Sequence, residues 1–306
     1  MIIVGSGLCG TLIANKLKQK GIIATVLEKS KNHGRLATRY NDKSTVDIGA
    51  QFFTVRSASF EGVVQGWINA NLVRIWCYGF PPKNDKYPRF CVQNGMRHLV
   101  DHLAQDVEVQ FNTNVKSIIE TSDEFVLCTN SAEYRTDTLI ITVPIPQAIP
   151  LVKDMLPPED LKILGSIKYY PCITLIFESD SKCTVFQHKG KVVDFIASNK
   201  AKGISELNVF TLHCAPQFSL DNFDMEVSEV CKLAQSELND FSDIVISNPQ
   251  IKRWKYAQPV EPFIERLSYT IVKGKKKIIF AGDQFGNSKI EGACLSALDV
   301  VSTVIN

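Results

Sequence analysis

The stretch that most limits how this chain can fold is its first ten residues, "MIIVGSGLCG". Residues 2–4 are apolar and predict a short buried strand. Leu8, Leu12, Ile13 and Leu17 then recur at helical spacing and predict a helix over 7–20. Gly21 ends that helix, and the apolar run 22–27 predicts a second strand. Gly5, Gly7 and Gly10 therefore fall at the strand-to-helix turn of a β-α-β unit, the context in which G-x-G-x-x-G cradles a phosphate. Gly5 permits the tight turn, Gly7 lets the backbone approach a pyrophosphate, and Gly10 lets the helix pack close to the strand. The free N–H groups at the helix start favour the anion. Glu28 closes the second strand, 18 residues beyond Gly10, where an acid takes the adenosine ribose hydroxyls. Leu8, Cys9 and Lys29 complete this first set of cofactor-binding candidates.

The middle of the chain reads as short strands over 107–111, 115–119, 125–129 and 138–144, split by Asn, Ser, Asp and Thr turns. The pattern changes near 151. A short helix is predicted over 157–167, then strands over 172–178, 192–198 and 207–215. An amphipathic helix over 224–240 carries Val227, Val230, Cys231, Ala234 and Leu238 on one face. After 251–257 and 268–272 the chain returns to a strand, 277–283, and a final helix beginning near Gly292. There is no internal repeat and no low-complexity linker, so the expected domains are interleaved rather than consecutive.

The C-terminal stretch bears on which dinucleotide binds. "IIFAGDQFGNSKIEGACLSAL" is a strand, the acidic turn Gly282–Asp283, and a helix. FAD is longer than an adenosine-pyrophosphate unit, so it needs a second acidic turn and a second helix dipole. With Glu28, this favours FAD over free NAD.

Composition excludes several alternatives. The chain has 306 residues, 45% hydrophobic and 22% charged, with a net charge of +2. That is an ordinary globular composition without the basic signature of a nucleic-acid binder. Nine cysteines, with no C-x-x-C, suggest neither a disulfide framework nor a zinc knuckle. No apolar run approaches the ~20 residues of a membrane span. The first strand leaves no room for a signal peptide, and the expectation is a cytoplasmic protein with no membrane partner. His98 and His102 have the i,i+4 spacing of metal ligands, but the Met96, Leu99, Val100 and Leu103 stripe puts both off the core face and no H-E-x-x-H is present. No metal is expected. Lys273, Lys275, Lys276 and Lys277 read as a solvated turn.

Several segments in the right order carry a more specific signal. "VDIGAQFFTVRSASF", "TVPIPQAIPLV", "VVDFIASNKAKG", "FTLHCAPQFS", "IKRWKYAQPV" and "GDQFGNSKIEGACLSAL" resemble the renalases, a family of the FAD-containing amine-oxidase-like superfamily, nearly end to end. The first resembles the flavin-proximal D-x-G-A-Q-[FY] segment and the last the C-terminal flavin signature. One departure stands out: the family's Gly-Gly-Arg is here Gly34–Arg35, with His33 in place of the first glycine. The resemblance implies an α/β fold in which a Rossmann-type FAD-binding domain (1–52, 94–150 and 272–306) is interleaved with a mixed-sheet α+β substrate domain (53–93 and 151–271), as in p-hydroxybenzoate hydroxylase and the amine oxidases. It adds Arg35, Gly49, Ala50, Gln51, Val115, Gly282, Asp283, Glu291, Gly292 and Ala293 to the residues around FAD. No Cys stands in the Ser-Gly-Gly-Cys-Tyr context of covalent attachment, so non-covalent FAD is expected.

The resemblance also implies a reaction: oxidation of the misreduced 2-dihydro and 6-dihydro isomers of NAD(P)H to NAD(P)+, with electrons passing through FAD to oxygen and giving hydrogen peroxide. The dihydropyridine nitrogen already drives hydride departure, so positioning matters more than acid–base groups. Gln51 and Phe53 beside the flavin, and Asn199, His213 and Trp254 in the substrate domain, are the candidates for that work. A first alternative is an FAD-dependent amine oxidase or another flavin oxidoreductase. Against amines, the aromatic cage position two residues before Glu-Gly-Ala is Lys289, a cation that repels ammonium. A second alternative is a non-catalytic nucleotide-binding protein of the same fold.

Overall fold

A computed structural model describes residues 1–305. The N-terminal β-α-β unit forms as its apolar pattern requires. β1 (Ile2–Val4) pairs in parallel with β2 (Thr25–Leu27), and α1 (Leu8–Lys18) crosses between them. β2 starts later than the apolar run from residue 22 implies. Gly21 takes a left-handed φ of 78°, the Ile22 N–H returns to the Leu17 carbonyl, and Ile23 is left exposed. Those residues leave the helix before the strand can begin.

Next come a small hairpin, β3 (Thr38–Tyr40) with β4 (Thr45–Asp47), and α2 (Ala58–Asn69), N-capped by Ser57. A ribbon of β5 (Val73–Tyr78) and β6 (Pro88–Val92) leads to α3 (Arg97–Ala104) and β7 (Glu108–Gln110). A three-stranded antiparallel sheet follows, β8 (Val115–Glu120), β9 (Phe125–Thr129) and β10 (Glu133–Thr136), and then β11 (Thr138–Ile141). Two helices come next, α4 (Ile145–Val152) and α5 (Pro158–Gly165). The second large sheet takes β12 (Tyr169–Glu178), β13 (Val185–Gln187), β14 (Val193–Ser198), β15 (Val209–Cys214) and, after α6 (Pro216–Asp221) and α7 (Val227–Leu238), β16 (Ser247–Pro259). β17 (Ser268–Lys273), β18 (Lys276–Ala281) and α8 (Lys289–Ile305) end the chain.

The first sheet runs β17-β18-β11-β1-β2-β7 and is parallel except for β17. Both its faces are covered, so its strands are apolar on both sides. Ile3, Val26, Ile140 and Ile279 face α1, α3 and α8, while Ile2, Val4, Leu27, Leu139, Ile141 and Phe280 face β8, β9, α4 and α5. The second sheet, β13-β14-β15-β12-β16, is antiparallel. Ile173, Leu175, Phe210 and Leu212 pack on Val230, Ala234 and Leu238 of α7, the face its spacing marked. The observed fold is thus the expected Rossmann-type sheet beside an α+β substrate layer, whose sheet is antiparallel where a mixed one was expected.

Three local differences have simple causes. α4 and β10 were not foreseen; Pro144, Pro146 and Pro150 interrupt the helical signal of α4. Residues 53–93 serve both layers: Phe53, Phe60, Val64 and Trp67 join the core under α1 and α8, whereas Phe80 packs on Val185, Phe195 and Ala197 of the second sheet. β17 joins the first sheet from Ser268 onward. The lysine run is not a wholly solvated turn. Lys273 and Lys276 both bond the Glu120 carboxylate, with Lys276 Nζ 2.9 Å from Oε1 and only 5% exposed.

Among the described residues no helix is long and apolar enough to cross a membrane, and no cluster of His, Cys, Asp and Glu is arranged to hold a metal ion. His98 and His102 lie on α3 beside its buried Leu99, Val100 and Leu103 stripe.

Candidate functional site

The glycine turn has the shape of a cradle. A Cβ on Gly10 would stand 2.1 Å from the Gly5 carbonyl oxygen, so only glycine lets α1 sit this close to the turn. A Cβ on Gly7 would meet nothing within 4 Å, so the space over Gly7 is open. Gly7 is the N-cap of α1, with no side-chain cap and no acid in the first turn. The first-turn N–H groups are therefore left for an external anion. Leu8 and Cys9 are buried in the core beneath, while Lys29 is exposed beyond β2. Val115 is buried with Val4 and Leu27 at the same strand ends.

Glu28 is buried at the end of β2. Its Oε2 accepts from the Ser6 N–H at 3.0 Å and from Ser6 Oγ at 3.2 Å, and its Oε1 accepts from the Ser30 N–H at 2.9 Å. The carboxylate thus fixes the middle of the glycine turn from the side where a ribose is expected. His33 braces the same residue. Its Nδ1 lies 2.9 Å from the Ser6 carbonyl and 3.0 Å from Ser6 Oγ, and its ring meets Phe111 edge-on at 5.0 Å. Burial lowers the His33 pKa, with the Ser6 carbonyl opposing. The chain tolerates a histidine here because the imidazole is tucked behind Ser6. The next residue, Gly34, keeps the close approach, since a Cβ there would lie 3.2 Å from Gly7 Cα.

Arg35 does not stand free for a pyrophosphate. Its guanidinium makes a bidentate pair with Asp283, 2.7 Å on each arm, and donates to the Ala257 carbonyl at 3.0 Å. Asp283 is 6% exposed, and the Tyr169 hydroxyl lies 3.4 Å from its Oδ1 and 2.9 Å from Gln284 Oε1. The Gly34–Arg35 stretch and the C-terminal flavin segment are therefore joined by one planar, charge-assisted contact. Gly282, at φ 140°, precedes it and donates its N–H to Ser296 Oγ at 2.9 Å.

Glu291 requires a correction. It is buried, and both its oxygens accept backbone N–H groups at the start of α2, Arg56 at 3.0 Å and Ser57 at 2.9 Å. Its carboxylate complements that helix dipole and is not offered to a cofactor. Gly292 is needed for spacing, because a Cβ would stand 2.8 Å from the Asn287 carbonyl group. Ala293 lies in the core at 9% exposure.

The five positioning candidates share one neighbourhood, but most of them hold the protein together there. Asn199 is fully buried: its Oδ1 accepts the Asp47 N–H at 3.0 Å, and its Nδ2 donates to the Val209 carbonyl and Thr211 Oγ1. Trp254 Nε1 donates to the Ile48 carbonyl at 3.0 Å. His213 faces the Gly49 backbone. Three substrate-sheet side chains thus grip three consecutive residues, 47 to 49. Gln51 donates to the Asp47 and Gly49 carbonyls and accepts from Lys202 Nζ at 2.9 Å. Phe53 is stacked on Phe90 at 5.5 Å inside the first core. Asn199, Gln51, Trp254 and Phe53 thus have their polar groups or ring faces engaged within the protein.

The centre of this grip was missed from the sequence. Asp47 and Lys202 form an ion pair at 2.9 Å with both side chains 0% exposed. Asp47 Oδ1 also accepts from Thr38 Oγ1 at 2.6 Å and the Met96 N–H at 2.7 Å, and Lys202 Nζ lies 5.3 Å from the Trp76 ring centre. The partners are separated by 155 residues, so no local pattern links them. Ala50 is half-buried beside them, and Gly49 lies so close to Arg35 that a Cβ would fall 2.0 Å from the Arg35 carbonyl oxygen.

His213 joins that network through the Gly49 backbone. Burial, and then the Lys202 charge, lower its pKa to about 4, so it is neutral at pH 7. Nearby, burial raises the Asp194 pKa against the opposing charges of Lys189 and Lys289. Lys289 is exposed at the start of α8 with φ 65°, and its charge acts on Asp194.

The description "flavin containing amine oxidoreductase" is that of a family matching residues 57–305, and an NAD(P)-binding Rossmann-like domain family matches residues 3–65. Cyclohexylamine oxidase from Brevibacterium oxydans IH-35A superposes with a TM-score of 0.79 at 11% identity, covering 99% of this chain and 98% of that one. A putrescine oxidase solved with putrescine bound gives 0.73 at 11% identity, with the same coverage. A conjugated-linoleic-acid-producing fatty acid isomerase from P. acnes gives 0.71 at 12% identity, covering 100% and 98%. At these identities the superpositions speak for the fold. The cradle over Gly7, the buried acid at the end of β2 and the second acidic turn fit FAD, and FAD is the cofactor. With most of its length matched, the chain belongs to the flavin-containing amine oxidoreductase family.

Proposed function

We propose that this flavoprotein is an oxidase of the renalase type, taking a hydride from 2-dihydro or 6-dihydro isomers of NAD(P)H and passing the electrons to oxygen. The observation that carries the reading is Lys289. It occupies the position where an amine oxidase of this fold uses an aromatic side chain, and its positive charge acts on the half-buried Asp194 of the substrate sheet. That charge disfavours an ammonium and favours a phosphate-bearing donor. His213, neutral at pH 7, offers an uncharged polar contact suited to a carboxamide. Bound FAD supplies the hydride acceptor and the route to oxygen. The chain holds the donor against it and provides the dry wall of the Asp47–Lys202 network.

The two-layer division, and the assignment of Glu28 to the ribose and of the α1 start to the pyrophosphate, belong to the same proposal. Non-covalent attachment is supported by Cys9 and Cys294, whose thiols are pushed up by burial and so held protonated. A second reading, amine oxidation, has one observation in its favour: Asp194 is a half-buried carboxylate at the junction, a group able to receive an ammonium. An anaerobic titration of the holoprotein with 6-dihydroNAD decides between them. Bleaching of the oxidised-flavin band, reversed by air, is the expected result. No bleaching with 6-dihydroNAD, but bleaching with cyclohexylamine or putrescine, overturns it.

A further inference from the structure

His33 stands where the renalases that the chain resembles carry a glycine, and it puts an ionisable ring against the cofactor cradle. The glycine turn, residues 5–10, has no basic side chain. On the loop 28–35 that flanks it, Arg35 is bound to Asp283 and to the Ala257 carbonyl, and Lys29 and Lys31 are exposed. His33 is the basic residue of that loop that is buried against the turn, 5% exposed, with Nδ1 at the Ser6 carbonyl and hydroxyl. The residue after it closes on Gly7, the N-cap of α1.

Charged groups from two elements act on the imidazole. On α3, Asp101 Oδ1 lies 3.6 Å from Nε2, and Arg97 Nε donates to that same oxygen at 3.1 Å while its Nη1 donates to Asn32 Oδ1 at 2.8 Å. At the end of β2, Glu28 shares Ser6 with the ring. Phe111, just beyond β7, meets the ring with an apolar edge contact. The Ser6 carbonyl takes the Thr11 hydroxyl at 3.0 Å as well as Nδ1. With its proton on that side, a neutral ring turns a bare Nε2 toward the Asp101 carboxylate. A second proton would fill that gap and meet a negative charge. Burial is the main effect that keeps it off; Arg97 adds to burial, while the Ser6 carbonyl, Asp101 and Glu28 oppose it.

Resting on the assignment of the pyrophosphate to the α1 start, we propose that His33 is a titratable counter-cation for the cofactor: FAD binding draws a proton from solvent onto Nε2, and the imidazolium, bonded to the Ser6 carbonyl and paired with Asp101, balances the pyrophosphate charge. Each phosphate of FAD carries a full negative charge, whereas the turn offers backbone N–H groups and the partial charge of a helix end. Negative charge placed near an imidazole raises its proton affinity. A rise of about one pKa unit on binding corresponds to about a tenfold gain in affinity. The sign follows from linkage. FAD binds the protonated form more tightly, so the gain is complete below the pKa of the free ring and vanishes above the pKa of the bound one. Because burial sets the free ring low, the full gain appears only below the ordinary histidine value near 6.5. A glycine at this position has no proton to offer, and an arginine keeps its charge throughout.

The test is calorimetric titration of the apoprotein with FAD in pairs of buffers that differ in ionisation enthalpy, which counts the protons taken up. His33→Asn keeps an amide donor for the Ser6 carbonyl but cannot titrate, and His33→Gly restores the residue of the resembled family. Wild type is expected to take up a fraction of a proton per FAD, and both variants to lack that uptake. Relative to His33→Asn, wild type should gain about tenfold in FAD affinity between about pH 8 and about pH 5. NMR of protein labelled with 15N-histidine reads the same event directly, as a His33 pKa that is higher with FAD than without it. No uptake in wild type, equal uptake in His33→Asn, or a His33 pKa that FAD leaves unmoved overturns the proposal. Failure of the underlying assignment has its own readout: FAD affinity that Gly7→Ala leaves untouched would remove the pyrophosphate from the α1 start, and the proposal with it.

Discussion

Replacing Lys202 with methionine keeps most of the aliphatic stem and removes one charge. The charge is 0% exposed and pairs with an equally buried carboxylate at 2.9 Å. After the change Asp47 retains Thr38 Oγ1 and the Met96 N–H, but its second oxygen loses its cation, and Gln51 Oε1 loses its donor. Removing one member of a buried pair costs about 3–5 kcal/mol, because the other charge is left uncompensated. For a chain of this size that corresponds to a fall in Tm of about 5–8 °C. The assay is thermal unfolding of the FAD-saturated protein at pH 7, followed by circular dichroism, with exposed Lys200→Met as control. A double variant, Asp47→Asn with Lys202→Met, removes both charges and should recover part of the loss, which a double-mutant cycle measures. A Lys202→Met protein that melts within about 1 °C of wild type, the scatter expected of a neutral surface change, would refute the reasoning. It would mean that the pair is neutral or reached by water.

Gly7→Ala and Gly10→Ala separate the two roles of the cradle. Gly7→Ala should leave the apoprotein's Tm unchanged, because its Cβ enters open space, and yet weaken FAD in an equilibrium dialysis; Gly10→Ala, whose Cβ would strike the Gly5 carbonyl, should yield little folded protein. His213 predicts a pH effect. Its folded pKa of about 4 lies below the ordinary histidine value near 6.5, so the unfolded chain binds the proton first. Stability should fall as pH drops from about 6.5 toward 4, and the slope in denaturant titrations should shrink in His213→Gln.

The Rossmann unit was legible because its determinants are local. The unbroken apolar run Ile2, Ile3 and Val4 and the spacing of three glycines act within ten residues, and burial follows from them. α7 was legible for the same reason, through one apolar stripe. α4 was hidden by three prolines that the helix accommodates at its N-cap, first turn and interior. At the site, residue types were easier to read than their duties. Glu28 and Asp283 fall at the turns expected of them, but Arg35 turned out to be held by Asp283, Glu291 by the start of α2, and Asn199 by Asp47. Each of these partners is distant in sequence, and a carboxylate or amide shows in a sequence without its acceptor or donor. Resemblance located the segments; only packing revealed which polar groups were already taken.

The grip of Asn199, His213 and Trp254 on residues 47 to 49 also limits how the gene can change. Each contact reaches a different backbone unit, so the strand and its three partners work like teeth in mesh. A substitution at one tooth leaves two engaged. Inserting or deleting a single codon between Asp47 and Gly49 shifts the strand by one residue and disengages all three together, while the same lesion in the exposed loop at 83–87 touches none of them. Length variation in this chain should therefore collect in that loop and be excluded from the meshed segment.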